Sequence, residues 1–257
     1  MGILGGYLRK EGHVQASGKI ALVTGAARRV GKAIALALAQ RGAHVAISYN
    51  RSADEARQAV QEIEARGVRS LAVRGDIRRS GEVNAMVAQV IEHFGRIDIL
   101  VNNASNYYKT PFQDLTEEQW DDLVDTNLKG TFLVAKRVGD EMLKAGSGKI
   151  INLADWAGFR PYKDYIPYCV AKAGVIALTK ALAKTLAPNI QVNAVAPGPV
   201  LLPEEFDDRV REAVVRATPL QRIGSPDDIA QTVVFLIEGS DFITGATIVV
   251  DGGRLIA

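Results

Sequence analysis

The chain has 257 residues but only one cysteine, three histidines and a net charge of +2. A lone Cys169 excludes an internal disulfide, and with His13, His44 and His93 scattered along the chain there is no spacing that would hold zinc or another metal. The small net charge, with no domain-scale basic stripe, argues against a nucleic-acid or membrane surface as partner. No apolar run reads as transmembrane, and the start, MGILGGYLRKEGHVQAS, lacks the continuous apolar stretch of a signal peptide. The Met-Gly start approaches a myristoylation signal, but Gly6 stands where Ser or Thr is needed. Residues 1–16 therefore read as a loose extension, residues 17–257 as one domain, and a cytoplasmic enzyme is expected.

Apolar residues make up 47% and charged residues 23%, enough for one large core in a soluble α/β domain. Short apolar runs alternate with longer helical patterns from Lys19 onward. Residues 19–24, 43–49, 68–74, 97–101, 149–154, 190–196 and 246–250 read as seven strands, several of them apolar throughout, as strands covered on both faces are. Between them, Val83, Met86, Val87, Val90, Ile91 and Phe94 keep helical spacing. Ser52 with Glu55 and Thr116 with Gln119 have capping-box spacing, and Ser225-Pro226 reads as an N-cap followed by Pro at the first helical position. Pro167 opens a helix that Pro188 ends. Strands alternating with helices predict a single-domain, Rossmann-type doubly wound fold with a seven-stranded parallel sheet.

Two stretches carry chemistry. The first strand runs into TGAARRVGKAIALALA, a turn that can hold a pyrophosphate on backbone N–H groups and a helix N-terminus. Further on, Tyr168 and Lys172 lie one helical turn apart on one face. A phenol titrates near ~10 in water and a neighbouring ammonium favours the phenolate, so such a pair can exchange protons near neutrality.

Together these stretches resemble the short-chain dehydrogenase/reductase family, whose turn is usually T-G-x-x-x-G-x-G. Thr24, Gly25 and Gly31 match it, and Arg29 replaces the middle Gly. The second strand ends in Tyr49-Asn50-Arg51-Ser52, with no acid to bind a ribose 2′-hydroxyl. Arg28, Arg29, Asn50, Arg51 and Ser52 suit a 2′-phosphate instead, so NADP(H) is favoured over NAD(H). The resemblance places Asp76 at the adenine edge, Asn103 and Ala104 along the cofactor pocket, and Pro197-Gly198 beside the nicotinamide. Residues 199–218 fall where the family carries a substrate lid. By the same resemblance Asn127, Tyr168 and Lys172 are catalytic, Lys172 lowering the Tyr168 pKa and holding the nicotinamide ribose, and a homotetramer is expected.

The family's catalytic Ser would fall thirteen residues before Tyr168, where this chain has Asp155. An ionised carboxylate repels a developing oxyanion, but it suits a substrate bearing N–H groups or a ring nitrogen that needs a proton. With Arg29 and with Ser105 and Tyr107 after strand four, Asp155 gives the chain a resemblance to the pteridine reductase branch. There Arg29 and Ser105 would touch pterin or phosphate, and Tyr107 would stack on the pterin. The expected reaction is NADPH-dependent reduction of a dihydropterin, with dihydrofolate a further candidate. The alternatives are a carbonyl reductase, such as a 3-oxoacyl thioester or sugar reductase, and a non-catalytic NADP(H)-sensing protein.

Overall fold

A computed structural model describes residues 15–202 and 207–257. Seven short strands pair in parallel: β1 (Ile20–Val23), β2 (His44–Tyr49), β3 (Ser70–Arg74), β4 (Ile99–Asn102), β5 (Gly148–Leu153), β6 (Ile190–Pro197) and β7 (Thr247–Val250). Their order across the sheet is β3-β2-β1-β4-β5-β6-β7. All seven expected strands are present, with ends moved by two residues at most. The chain winds one way from β1 and the other way from β4, so a crevice opens between their carboxyl ends.

The helices are α1 (Arg29–Gln40), α2 (Ala53–Glu64), α3 (Ser80–Phe94), α4 (Glu117–Val124), α5 (Gly130–Ala145), α6 (Ile166–Leu186), α7 (Asp208–Arg216) and α8 (Pro226–Glu238). They sort by the face of the sheet they cover. In β1, Ala21 and Val23 point to a layer built from Ile34 and Leu38 of α1, Ile63 of α2 and Val233 of α8. Ile20 and Leu22 point to the opposite layer, built from Met86 and Val90 of α3 and Val138 and Met142 of α5. The apolar residue at every position of β1 follows from burial on both faces.

Two of the three expected caps form. Thr116 accepts from the Gln119 N–H in a reciprocal capping box, and Ser225 does the same with Asp228 ahead of Pro226. Ser52 makes no such bond. Its backbone (φ −88°, ψ 63°) is turned away from the extended conformation that aims a cap side chain at the first turn, whereas Thr116 (φ −100°, ψ 162°) has it.

Most of the expected N-terminal extension lies outside the described residues, but its end is part of the fold. Ala16 is buried, and its N–H donates to the Glu238 carboxylate at 3.0 Å. Among the described residues, α6 is long and apolar enough to cross a membrane by composition alone, a run the sequence pattern did not single out. Its apolar length goes into packing: Ala171, Val175 and Ile176 are buried, and the same buried side carries Tyr168 and Lys172.

Candidate active site

A cleft of about 560 Å³ occupies the crevice at the carboxyl ends of the strands, lined by the glycine turn, the β2–α2 turn, Asp76 and the segment after β4. Of the expected cofactor residues, Gly25, Arg28, Arg29, Gly31, Asn50, Arg51, Ser52, Asp76, Asn103 and Ala104 line it. Thr24, Tyr168, Lys172, Pro197 and Gly198 do not. Thr24 lies just beneath, where its hydroxyl oxygen accepts the N–H groups of Asn103 (2.9 Å) and Ala104 (3.0 Å). Asn103 returns the clamp, its side-chain amide donating to the carbonyls of Thr24 and Gly25. A Cβ on Gly31, the third residue of α1, would overlap that amide, which is why a residue lacking one stands there.

Arg29 stands in the left-handed region, with φ 56°. A Gly at this place would adopt that backbone freely, whereas Arg costs of order 1 kcal/mol. Its guanidinium reaches the Leu201 carbonyl at 3.4 Å, so the turn touches the start of the expected lid segment. Residues 203–206 of that segment lie outside the described residues, and α7 forms its later part.

The donor set fits a phosphorylated dinucleotide. Arg28, the N-cap of α1, makes no side-chain cap bond, which leaves the first-turn N–H groups for an anion. Arg28 and Arg51 are exposed and have no side-chain partner among the described residues. The two acids lining the cleft, Asp76 and Asp122, are both paired with Arg78, which donates to both Asp76 oxygens and holds the Asp76 pKa below the usual carboxylate range. An adenine contact from Asp76 would have to share the carboxylate with Arg78.

The helix that begins after Thr116 is interrupted at Asn127. Residues Asp125–Lys129 form a π turn between α4 and α5. Within this turn the Asn127 side-chain amide donates to the Leu123 carbonyl at 2.9 Å. The same amide donates to the backbone and side-chain oxygens of Asn106, while its oxygen accepts from the Ser105 hydroxyl. Asn127 thus ties the loop after β4 to the helix.

Asp155 lies just after β5 and caps a short 3-10 turn; Tyr168 and Lys172 come from α6. The Tyr168 hydroxyl donates to Asp155 Oδ2 at 2.9 Å. Lys172 Nζ donates to the Leu153 carbonyl at 2.9 Å and lies 5.6 Å from the centre of the Tyr168 ring. The expected lowering of the Tyr168 pKa by Lys172 does not hold here. Burial raises Tyr168 well above 10, and the Asp155 carboxylate adds to the rise. Burial also raises Asp155, against the pull of the Ala157 N–H, Lys172 and two tyrosine hydroxyls. Lys172 absorbs the cost of burial most visibly, its pKa lowered to about 8, with Asp155 opposing the drop. The resting site therefore holds a protonated phenol, so that Tyr168 is poised as a proton donor.

Sequence spacing missed the aromatic wall around this pair. The ring of Tyr107 stacks on Tyr165 (4.6 Å) and meets Tyr168 edge-on (4.9 Å). The Thr110 N–H donating to the Asp164 carbonyl at 2.7 Å ties its loop to the one before α6. One face of Tyr107 is thus covered by Tyr165 rather than free, an arrangement not anticipated for a stacking ring. Tyr162 donates to Asp155 Oδ1 at 3.2 Å and accepts from the Trp156 indole N–H. These residues sit in an irregular segment without periodicity, so only their number between Asp155 and Tyr168 hinted at a cluster.

A family profile described as enoyl-(acyl carrier protein) reductase matches residues 25–254. The 3-oxoacyl-[acyl-carrier-protein] reductase FabG of Staphylococcus epidermidis is 43% identical over 239 residues, covering 91% of this chain and 98% of that protein. The 3-oxoacyl-[acyl-carrier-protein] reductase of Synechocystis is 40% identical over 241 residues, 93% and 97% of the two chains. A solved 7α-hydroxysteroid dehydrogenase, complexed with NADH and 7-oxo glycochenodeoxycholic acid, superposes with a TM-score of 0.90 at 32% identity, covering 94% of this chain and 96% of that one. These names agree with the carbonyl-reductase alternative rather than with the pteridine reductase branch. Sheet order, glycine turn, the Asn127–Tyr168–Lys172 set and these relatives together place the chain in the short-chain dehydrogenase/reductase family of oxidoreductases.

Proposed function

We propose that the chain is an NADP(H)-dependent reductase of a pterin-like heterocycle. The observation that carries this reading is the Asp155 carboxyl, 2.9 Å from the Tyr168 hydroxyl, at the place where a carbonyl reductase of this family presents a serine. Arg28, Arg51 and the first turn of α1 would hold the cofactor phosphates, and Lys172 would lie toward the nicotinamide ribose. When bound, the reduced nicotinamide would supply a hydride to the carbon of a C=N bond, and the π electron pair of that bond moves to the nitrogen. The Tyr168–Asp155 pair gives its one exchangeable proton to the nitrogen, then recovers it from water. Lys172 offsets the negative charge left on the pair. A substrate N–H or amino group can also donate to Asp155, which anchors a pterin and rejects a bare ketone.

The second reading is a 3-oxoacyl thioester reductase, and the names of the 43% and 40% identical relatives favour it. In that reading Asp155 must be protonated to donate to the carbonyl oxygen, a form that its raised pKa makes accessible. Following NADPH oxidation with a dihydropterin, dihydrofolate and a 3-oxoacyl thioester separates the two. Turnover of a dihydropterin supports the proposal. No pterin turnover beside brisk thioester reduction overturns it in favour of the second reading. NADH run in parallel tests the phosphate-binding role of Arg28 and Arg51, with NADPH preferred at least about tenfold.

A further inference from the structure

Trp156 and Tyr162 have no place in the chemistry above, yet both converge on Asp155. The indole N–H is a donor only, so the Tyr162 oxygen must accept there. A hydroxyl carries one proton, and that proton is thereby directed to Asp155 Oδ1 at 3.2 Å. Oδ1 also accepts the Ala157 N–H at 2.7 Å, so both of its lone pairs are engaged. Oδ2 faces only Tyr168 among the described residues. Neither tryptophan nor tyrosine is loosely held. Trp156 is buried with the Arg254 guanidinium 5.8 Å from its ring, and the Tyr162 N–H donates to the Cys169 sulfur at 3.3 Å.

We propose that Trp156 and Tyr162 form a fixed donor chain that reserves Oδ1 of Asp155 as an acceptor and confines the exchangeable proton to Oδ2, the oxygen that meets Tyr168. Both are positioning residues acting through Asp155, and their effect on catalysis rests on the proton-delivery role assigned to Asp155 above. The chain also sets the acidity of Asp155. The other groups facing it are Tyr168, Cys169 and Lys172 on α6 and Tyr107 on the loop after β4; of these only Lys172 brings positive charge. Against so few stabilising partners, each neutral donor to the carboxylate counts.

The test is carbon-13 NMR of the aspartate carboxyls in the substrate-free protein, with the Asp155 signal assigned by its disappearance in Asp155→Asn. Tyr162→Phe removes a donor from the carboxylate and frees a lone pair on Oδ1, so the Asp155 midpoint should rise by about one pH unit. Trp156→Phe leaves the tyrosine but releases its direction, and should shift the midpoint the same way by less. The pH profile of kcat/KM should move with it. A midpoint within about 0.3 pH unit of wild type in both folded variants would mean that the two residues only pack, and overturns the proposal. Should Tyr162→Phe fail to fold, Trp156→Phe decides alone by the same criterion. Because the titration is read without substrate, failure of the pterin reading leaves this result independent.

Discussion

Replacing Lys172 with Met should stabilise the protein near neutral pH while destroying its activity. The ammonium is 3% exposed, and its pKa falls from 10.5 to about 8 because burial disfavours the charge. That drop corresponds to roughly 3 kcal/mol of destabilisation carried by the charged native state. Below about pH 8 the lysine is protonated in both states and this cost is present in full. From about pH 8 to about pH 10 the unfolded chain keeps the proton and the native state releases it, so wild-type stability rises with pH. Met removes the charge but leaves the Leu153 carbonyl without its donor, which costs about 1 kcal/mol, so the net gain near pH 7 is about 2 kcal/mol. Urea denaturation followed by tryptophan fluorescence at constant protein concentration measures it. The wild-type curve should climb toward the Met variant between about pH 7 and about pH 10, the limit where unfolded-state tyrosines begin to lose protons. Parallel pH curves for the two proteins would refute the assignment of a buried, charge-penalised Lys172.

Two further perturbations probe the cleft. Arg29→Gly removes the left-handed strain at φ 56° and should raise stability by up to about 1 kcal/mol while weakening NADPH binding about tenfold, as read by denaturation and by fluorescence titration with the cofactor. Asn127→Ala strips the Leu123 carbonyl, Ser105 and Asn106 of their shared partner and should cost about 3 kcal/mol in urea denaturation, with turnover falling as the loop after β4 loosens.

The fold was legible because its strands are short apolar runs covered on both faces, and a parallel sheet has few other ways to produce that pattern. Thr24, Gly25 and Gly31 were legible as a unit because a sharp turn under a helix tolerates few side chains. Their division of labour was not, since Thr24 serves by accepting two N–H groups from the segment just after β4. Tyr168 and Lys172 were legible as a helical pair, but the direction of the Tyr168 pKa was not. Spacing shows the neighbouring ammonium, whereas burial and the Asp155 carboxylate come from folding. Asn127 was legible only through the family resemblance, because the π turn that holds it leaves no signature in one sequence. Tyr162 and Trp156 stayed hidden because an irregular loop imposes no period on the residues it brings to a site.

The most direct test of the substrate reading compares kcat/KM for a dihydropterin and for a 3-oxoacyl thioester in the wild-type protein and in Asp155→Ser. The expected result is a loss of at least about a hundredfold on the pterin in the variant, with NADPH affinity held within about twofold. Undiminished pterin turnover in Asp155→Ser, or a wild-type protein that reduces only the thioester, contradicts the role given to Asp155.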